Sequence, residues 1–169
     1  MKTLKTFKPE ELLENIQDIQ EIRKLPLDYL KEKTVLGIDL YEYSKYPLVE
    51  QIYVPVIFDK LYEAAAKNAS EKESFIFSSY GSNVEDFKKN FISTGDGGFQ
   101  IFDNPLQAVL FAIYFQSNVK RFISGGSPNN FLKKLHKIVQ TIELRYAITH
   151  DYIYSYNMNF FGPAIISNA

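Results

Sequence analysis

Short apolar runs between polar segments predict where the strands of this chain lie. The run 34–40 is mostly apolar and predicts a buried strand with the carboxylate of Asp39 near its end. Apolar residues also flank Gly-Asp-Gly-Gly at 95–98, which predicts a β-hairpin over 91–102 with Asp96 at its tip. Further strands are predicted at 74–79 and 141–149, with 151–156 as the hairpin partner of the latter.

Apolar residues three and four positions apart predict the helices. A first helix is expected over 9–25, a second over 48–66 with Pro55 inside it, and a third after Asn104 and Pro105, which supply a cap and a first helical position. The segments 67–73, 81–89 and 131–139 are expected to be a turn, a loop or short helix, and a helix. The expected core-facing positions are Ile52, Val56, Leu61 and Ala65 in the second helix, and Leu106, Val109, Leu110, Ile113 and Val119 in the third.

This order of strand, helix, hairpin, helix and hairpin predicts an α+β fold of the ferredoxin-like split βαβ type. Its sheet should be rich in antiparallel pairs, with the helices on one face. We expect an N-terminal helical extension over 1–33 and one catalytic domain over 34–169.

Composition excludes several classes of protein. The chain has 169 residues, of which 46% are hydrophobic and 15% aromatic, so it can bury a sizeable core. The absence of cysteine excludes disulfides and thiolate chemistry, and fits a reducing compartment. A net charge of −1 gives no basic field for nucleic acid or membranes. Without an apparent signal peptide or membrane span, a cytoplasmic location is expected.

The most informative chemistry lies in the two strand-end aspartates. If the ends of the strands that carry Asp39 and Asp96 are neighbours in one sheet, their carboxylates converge. Converging carboxylates repel each other unless a cation lies between them, and hard oxygen ligands suit Mg²⁺ or Mn²⁺. The sequence therefore predicts a site for divalent metal ions.

Four segments follow one another in an order that points to a family. They are Ile-Asp-Leu-Tyr-Glu-Tyr-Ser at 38–44, Thr-Gly-Asp-Gly at 94–97, Leu-Arg-Tyr-Ala-Ile-Thr at 144–149 and Phe-Gly-Pro-Ala-Ile at 161–165. In this order they resemble the first metal motif, the Gly-Asp-Gly hairpin, the Arg-x-Gly-Ile strand and the segment opening the last catalytic helix of class III nucleotide cyclases. The resemblance covers residues 34 to 169.

The resemblance implies a role for each motif. Asp39 and Asp96, with the main-chain carbonyl of Leu40, would hold two Mg²⁺ or Mn²⁺ ions. A nucleoside triphosphate would close on its own α-phosphate to give a 3′,5′-cyclic nucleotide and pyrophosphate. A homodimer would share its active sites between subunits. The main-chain N–H groups expected to cradle the phosphates belong to Tyr41, Glu42, Tyr43 and Ser44.

Departures from the family pattern concern the base and the transition state. Glu42 replaces a glycine of the family, and the two base-reading positions hold Ile92 and Asn159. The transition-state asparagine aligns with Ile166, with Asn168 as the substitute two residues later. The transition-state arginine would fall beyond Ala169.

These departures bear on substrate choice. An isoleucine cannot pair with a purine edge, whereas an amide can donate to and accept from a pyrimidine. The chain therefore resembles the cyclases that make cyclic CMP or cyclic UMP in bacterial anti-phage signalling, and UTP or CTP is the expected substrate.

Two other functions stay open at this stage. A catalytically silent cyclase-like module that binds a nucleotide or a regulatory partner would explain Ile166 and the arginine position beyond Ala169. A palm-type polymerase or diguanylate cyclase domain also pairs two carboxylates, but leaves the segments 144–149 and 161–165 unexplained. Arg145 could contact phosphate or pair with a neighbouring carboxylate.

Overall fold

The computed structural model describes residues 6, 8–10, 29–81, 83–157 and 159–168. The helix predicted over 9–25 lies outside these residues, apart from Pro9 and Glu10, which are helical. The elements are β1 (Lys31–Leu40), α1 (Leu48–Lys72), α2 (Val84–Lys88), β2 (Phe91–Ser93), β3 (Gly97–Phe102), α3 (Pro105–Ile123), α4 (Asn130–Leu135), β4 (Leu144–Tyr156), β5 (Asn159–Phe161) and α5 (Pro163–Ile166).

The strands form one sheet with β1 in the middle. Their order is β2-β3-β1-β4-β5, and each neighbouring pair is antiparallel. The predicted α+β class with an antiparallel sheet is confirmed. Register places Asp39 opposite Gly97 on one side and opposite Arg145 on the other.

The two long helices pack on one face of the sheet. Because successive strand residues point to opposite faces, Leu36, Ile38 and Leu40 enter the main core under α1 and α3. That core is dominated by aromatic rings that meet edge-on or tilted, among them Phe58 against Phe115 at 5.2 Å between ring centroids. Tyr62 donates a buried hydrogen bond to the side chain of Gln100.

The opposite face carries a smaller cluster. Val35, Ile101 and Ile153 pack there with Ala164 of α5. By the same alternation Gly37 and Asp39 also point to this face, next to α5 and away from the long helices.

Several local predictions are confirmed. The strand over 34–40, the hairpin around Asp96 and the short helix within 81–89 are present. The helix after Asn104 begins at Pro105, and the Asn104 side chain accepts a hydrogen bond from the N–H of Gln107 at 3.1 Å.

Other local predictions are wrong. The segment 74–79 is no strand: it forms turns ending in a 3₁₀ turn over Ser78–Tyr80, and Phe75 is 93% exposed. The segment 67–73 continues α1 to Lys72 instead of turning. The segment 151–156 is the second half of β4, because β1 extends back to Lys31 and pairs with it as far as Ile153.

The predicted inward stripes also need correction. Leu61, Ala65 and Val119 are buried as expected. Ile52, Val56, Leu106, Val109 and Ile113 are exposed, and Leu110 is only half-buried. In α3 the face toward the sheet consists of Ala108, Phe111, Phe115, Val119 and Phe122. Both stripes have a helical period, and the aromatic one buries the larger apolar area.

No helix within the described ranges combines the length and the apolar character that crossing a bilayer requires.

Candidate active site

An open cavity lies on the sheet face opposite the long helices, where β1, β3 and β4 meet. Its volume is about 520 Å³. Gly37 and Ala147 lie at its floor, Phe99 and Asn168 line it, and both Asp39 and Asp96 contribute to it. The structure therefore brings the two aspartates predicted from the sequence to one cavity.

Asp39 reaches the cavity from the end of β1, and its carboxylate pairs with the guanidinium of Arg145. Arg145 lies directly opposite on β4 and donates from Nε to Asp39 Oδ2 at 2.9 Å, with a second donation from Nη2 to the same oxygen. The hydrogen bond and charge of Asp39 raise the pKa of Arg145. The guanidinium also lies over the Tyr41 ring, 5.1 Å from its centroid.

Asp96 is held by the hairpin turn between β2 and β3. The N–H of Leu40 donates to the main-chain carbonyl of Asp96 at 2.9 Å, so the turn is attached to the end of β1. Gly95 has a φ of +100°, which favours glycine. A Cβ on Gly97 would lie 2.1 Å from the carbonyl oxygen of Ile38. Glycine at these positions allows the hairpin to lie close against β1.

The loop after β1 contains the predicted phosphate cradle. Glu42 has a φ of 52°, the left-handed conformation that glycine would adopt most easily. Its side chain pairs with Lys45 at the protein surface, and its carbonyl accepts the N–H of Lys45 in a 3₁₀ turn. The N–H of Tyr41 already donates to Glu143 at 2.9 Å. The N–H groups of Glu42, Tyr43 and Ser44 follow in the same loop, with Tyr43 and Ser44 in the 3₁₀ turn.

Tyr43 attaches this loop to α1 through an unusual acceptor. Pro55 has no N–H to offer the carbonyl of Gln51, four residues earlier in the helix. The Tyr43 hydroxyl donates to that carbonyl at 2.7 Å instead. The proline and the tyrosine therefore act together to fix the loop. Tyr41 and Glu42 line a separate cavity, and none of residues 41–44 lines the cavity that holds Asp39 and Asp96.

The two predicted base-reading residues do not meet in the cavity. Ile92 lies on the edge strand β2, half-buried against the smaller cluster. Asn159 is exposed on β5, at the other edge of the sheet. Neither lines the cavity that holds Asp39 and Asp96.

Asn168 does reach the cavity, but its amide nitrogen is engaged within the chain. Nδ2 donates to the carbonyls of Val35 at 3.2 Å and Ala164 at 3.0 Å. Its buried Oδ1 faces Gly37 and finds no hydrogen-bond partner among the residues that the structure describes. Ile166, which aligns with the family's asparagine, is exposed at the surface.

The donor atoms suit a divalent cation. Oδ1 of Asp39 and the carboxylate of Asp96 accept no hydrogen bond from the part of the chain that is described. Mg²⁺ is commonly bound by one or two carboxylates, water and substrate phosphates, so two carboxylates beside the main chain of Leu40 are sufficient. The described residues bring together no group of three or more acidic, histidine or cysteine side chains suited to a metal.

Three residues of the cavity, Arg145, Gly37 and Phe99, cannot be assigned to the site from the sequence. The pairing of Arg145 with a neighbouring carboxylate was one of two open interpretations, and the register of β1 with β4 decides it. Gly37 and Phe99 belong to strands that were predicted, but their common face depends on the register of β1 with β3. A one-residue shift would reverse the faces, and no pattern in the sequence fixes that register.

Comparisons of the chain with models of protein families, with curated proteins and with solved structures find no match. The motif resemblance and the geometry of the cavity are therefore the observations from which function is argued.

Proposed function

We propose that this protein is a metal-dependent nucleotidyl cyclase that converts UTP or CTP to the 3′,5′-cyclic nucleotide and pyrophosphate. The observation that carries the proposal is the meeting of Asp39 and Asp96 in one open cavity, at adjoining ends of neighbouring strands. Carboxylates so placed can hold two divalent cations on the phosphates of a nucleotide.

The order of elements supports the same family. From β1 to β4, and leaving out the short helices α2 and α4, the chain runs β-α-β-β-α-β, with the strands ordered β2-β3-β1-β4. This is the ferredoxin-like arrangement expected for a cyclase-like domain. The four motif segments fall at the end of β1, in the hairpin, in β4 and at the start of α5.

The chain's own groups have distinct tasks in this proposal. Asp39, Asp96 and the carbonyl of Leu40 would hold the metal ions, whose chemistry would be to offset the charge of the phosphates and lower the pKa of the attacking hydroxyl. The main-chain N–H groups of Glu42, Tyr43 and Ser44, in the loop after β1, would bind phosphate oxygens. The cavity excludes no water by itself, since it is open on one side.

A second copy of the chain would complete the site. Ile92 and Asn159 lie outside the cavity that holds the aspartates, and Asn159 is exposed. A homodimer can present these residues to the cavity of the partner, whereas Asn168 already lines the cavity of its own subunit. The apolar Ile92 and the amide Asn159 then favour a pyrimidine over a purine, whose polar edge would stay unpaired.

Product analysis tests the proposal. The protein is incubated with UTP, CTP, ATP or GTP and Mn²⁺, and cyclic products and pyrophosphate are separated by chromatography. Two unpaired polar groups should lower the use of ATP by roughly 10²-fold relative to the preferred pyrimidine. The double substitution Ile92→Lys and Asn159→Asp should shift preference toward ATP.

The outcome separates the competing functions. Fastest turnover of ATP by the unmodified protein would contradict the pyrimidine assignment while leaving the cyclase intact. Nucleotide binding without a cyclic product from any triphosphate would favour a silent cyclase-like module.

A further inference from the structure

Arg145 occupies Oδ2 of Asp39, one of the two aspartates in the proposed metal site. We infer that Arg145 is a built-in substitute for the metal ion: it holds Asp39 in place in the metal-free protein and is displaced when a divalent cation binds. The inference rests on the proposed metal site and assigns to Arg145 a positioning role that acts through Asp39.

The geometry of the contact makes it a substitute rather than a simple surface pair. Both Nε and Nη2 of Arg145 donate to Oδ2 of Asp39, so one carboxylate oxygen is occupied and the other is left open. The two residues lie directly opposite each other on β1 and β4. The pair therefore fixes the rotamer of Asp39 with the carboxylate at the mouth of the cavity.

The pair is also weak enough to open. The Arg145 side chain is 64% exposed and that of Asp39 is 41% exposed. Exposed ion pairs contribute little to stability, because water and salt screen them. A doubly charged ion bound at Asp39 repels the guanidinium, whose charge has the same sign. Displacement therefore costs little.

A released Arg145 has somewhere to go. Its guanidinium already lies over the ring of Tyr41, which is itself exposed and belongs to the loop after β1. Stacking on this ring can hold the side chain near the rim once Asp39 has been given up. The displaced side chain therefore keeps a contact beside the cavity.

The first arm of the test measures the affinity for Mn²⁺ by calorimetry in Arg145→Gln. Loss of the competing pair should tighten Mn²⁺ binding about two- to five-fold. This is the change in dissociation constant that corresponds to the free energy of an exposed ion pair. Arg121→Gln, on the exposed surface of α3, removes the same charge and is the matched control, for which no comparable change is expected. A purely structural role of Arg145 would weaken binding instead.

The second arm observes the displacement itself. The Arg145 Nε–H signal in ¹H–¹⁵N spectra, assigned by its loss in Arg145→Gln, should be protected from exchange in the metal-free protein. Titration with Mg²⁺ should shift or broaden it with the same midpoint as metal binding, while the Arg121 signal stays unchanged. An Arg145 signal that remains protected at saturating Mg²⁺ overturns the inference.

The results distinguish failure of the inference about Arg145 from failure of the proposed metal site. Equal Mn²⁺ affinity in Arg145→Gln and the unmodified protein, or an equal rise in Arg121→Gln, overturns the inference but leaves the metal site standing. The proposed metal site is contradicted if the protein does not bind Mn²⁺, or if Asp39→Asn and Asp96→Asn leave the affinity unchanged. The inference about Arg145 then fails with it.

Discussion

At the scale of single residues, the site depends on glycines, whose lack of a Cβ lets neighbouring groups come close. Gly97 has no Cβ where one would lie 2.1 Å from the Ile38 carbonyl oxygen and 3.0 Å from the Cα of Asp39. Gly37 likewise leaves the cavity floor open next to Asn168 and Phe99. Gly97 is therefore needed for the close approach of the hairpin to β1, whereas Gly95 is needed only for its positive φ in the turn.

Gly97→Ala tests this requirement. The new methyl group would collide with main-chain atoms of β1, which cannot move aside as a flexible side chain can. We expect a loss of unfolding free energy of about 3 kcal/mol or more in urea denaturation. Gly126→Ala is the control, because the atoms nearest to its Cβ would be the Ser124 hydroxyl oxygen at 3.3 Å and Cγ and the carbonyl oxygen of Arg121, each at 3.6 Å. Equal stability of the two variants would contradict the close approach.

Asp103 shows how one carboxylate connects distant segments. It follows β3 and accepts hydrogen bonds from Lys33 of β1 and from the Ser79 hydroxyl, the latter at 2.6 Å. Burial by itself would raise the pKa of Asp103, but these hydrogen bonds and the charge of Lys33 outweigh it and lower the pKa.

The lowered pKa of Asp103 predicts an acid dependence of stability. The ionised carboxylate stabilises the fold fully above the unfolded-state pKa of about 3.9, and its contribution is lost as pH falls through the lower folded-state pKa. Asp103→Asn should cost about 1–2 kcal/mol at pH 7 and should flatten the fall in stability between about pH 5 and pH 2. Parallel pH profiles of the two proteins in chemical denaturation would refute this role.

At the scale of elements, the features that could be predicted from the sequence are those fixed by neighbouring residues. The hairpin followed from its glycines, and the start of α3 followed from Asn104 and Pro105, since caps and turns are fixed by nearby residues. The error at 74–79 arose because Phe-Ile-Phe resembles a strand, whereas the carbonyl of Ile76 accepts a hydrogen bond from Gln107 at 2.8 Å. That contact spans a long separation in sequence and has no local signature.

The same distinction explains β4. His150 and Asp151 look like a turn between two short strands, but His150 Nδ1 lies 2.8 Å from the Thr34 hydroxyl across the β1–β4 pair. A long partner strand keeps β4 extended through a sequence that would turn by itself. For the site, the two aspartates could be predicted, but the pairing of Arg145 with Asp39 required the register.

The link between Tyr43 and the helix α1 gives a prediction at this scale. Tyr43→Phe leaves the Gln51 carbonyl without its donor and should lower unfolding free energy by about 1 kcal/mol. In a Pro55→Ala background, the introduced alanine supplies the missing helical N–H, so the same Tyr43→Phe change should cost clearly less. Equal costs of Tyr43→Phe in both backgrounds would show that the proline does not create the need for the tyrosine.

At the scale of the whole molecule, the proposed activity would draw its site residues from two copies of the chain. The cavity with Asp39 and Asp96 lies on a different part of the surface from the exposed Asn159. In a two-fold dimer with shared sites, each site would take its aspartates from one subunit and its base-reading residues from the other.

Complementation tests this arrangement. Asp96→Ala and Asn159→Ala proteins should each be nearly inactive alone, because every dimer of either kind contains only damaged sites. After mixing and exchange of subunits, heterodimers contain one intact site, so activity should recover to about a quarter of that of the unmodified protein. Inactive mixtures, despite demonstrated subunit exchange, would mean that each site is built within one chain.

The proposed cyclase activity depends on Asp39 and Asp96 together. Its most direct test is the rate of cyclic product and pyrophosphate release from UTP and CTP with Mn²⁺ in four proteins: unmodified, Asp39→Asn, Asp96→Asn and Asp59→Asn. Asp59 is the matched control, an exposed aspartate that pairs with Lys88 on α1's side of the molecule.

The unmodified protein and Asp59→Asn are expected to form cyclic product at similar rates. Asp39→Asn and Asp96→Asn should be slower by roughly 10²-fold or more with their folds intact by circular dichroism, since bound metal contributes several kcal/mol to transition-state stabilisation. Cyclic product formed at an undiminished rate by folded Asp96→Asn, or no product from any of the four proteins, would contradict the account.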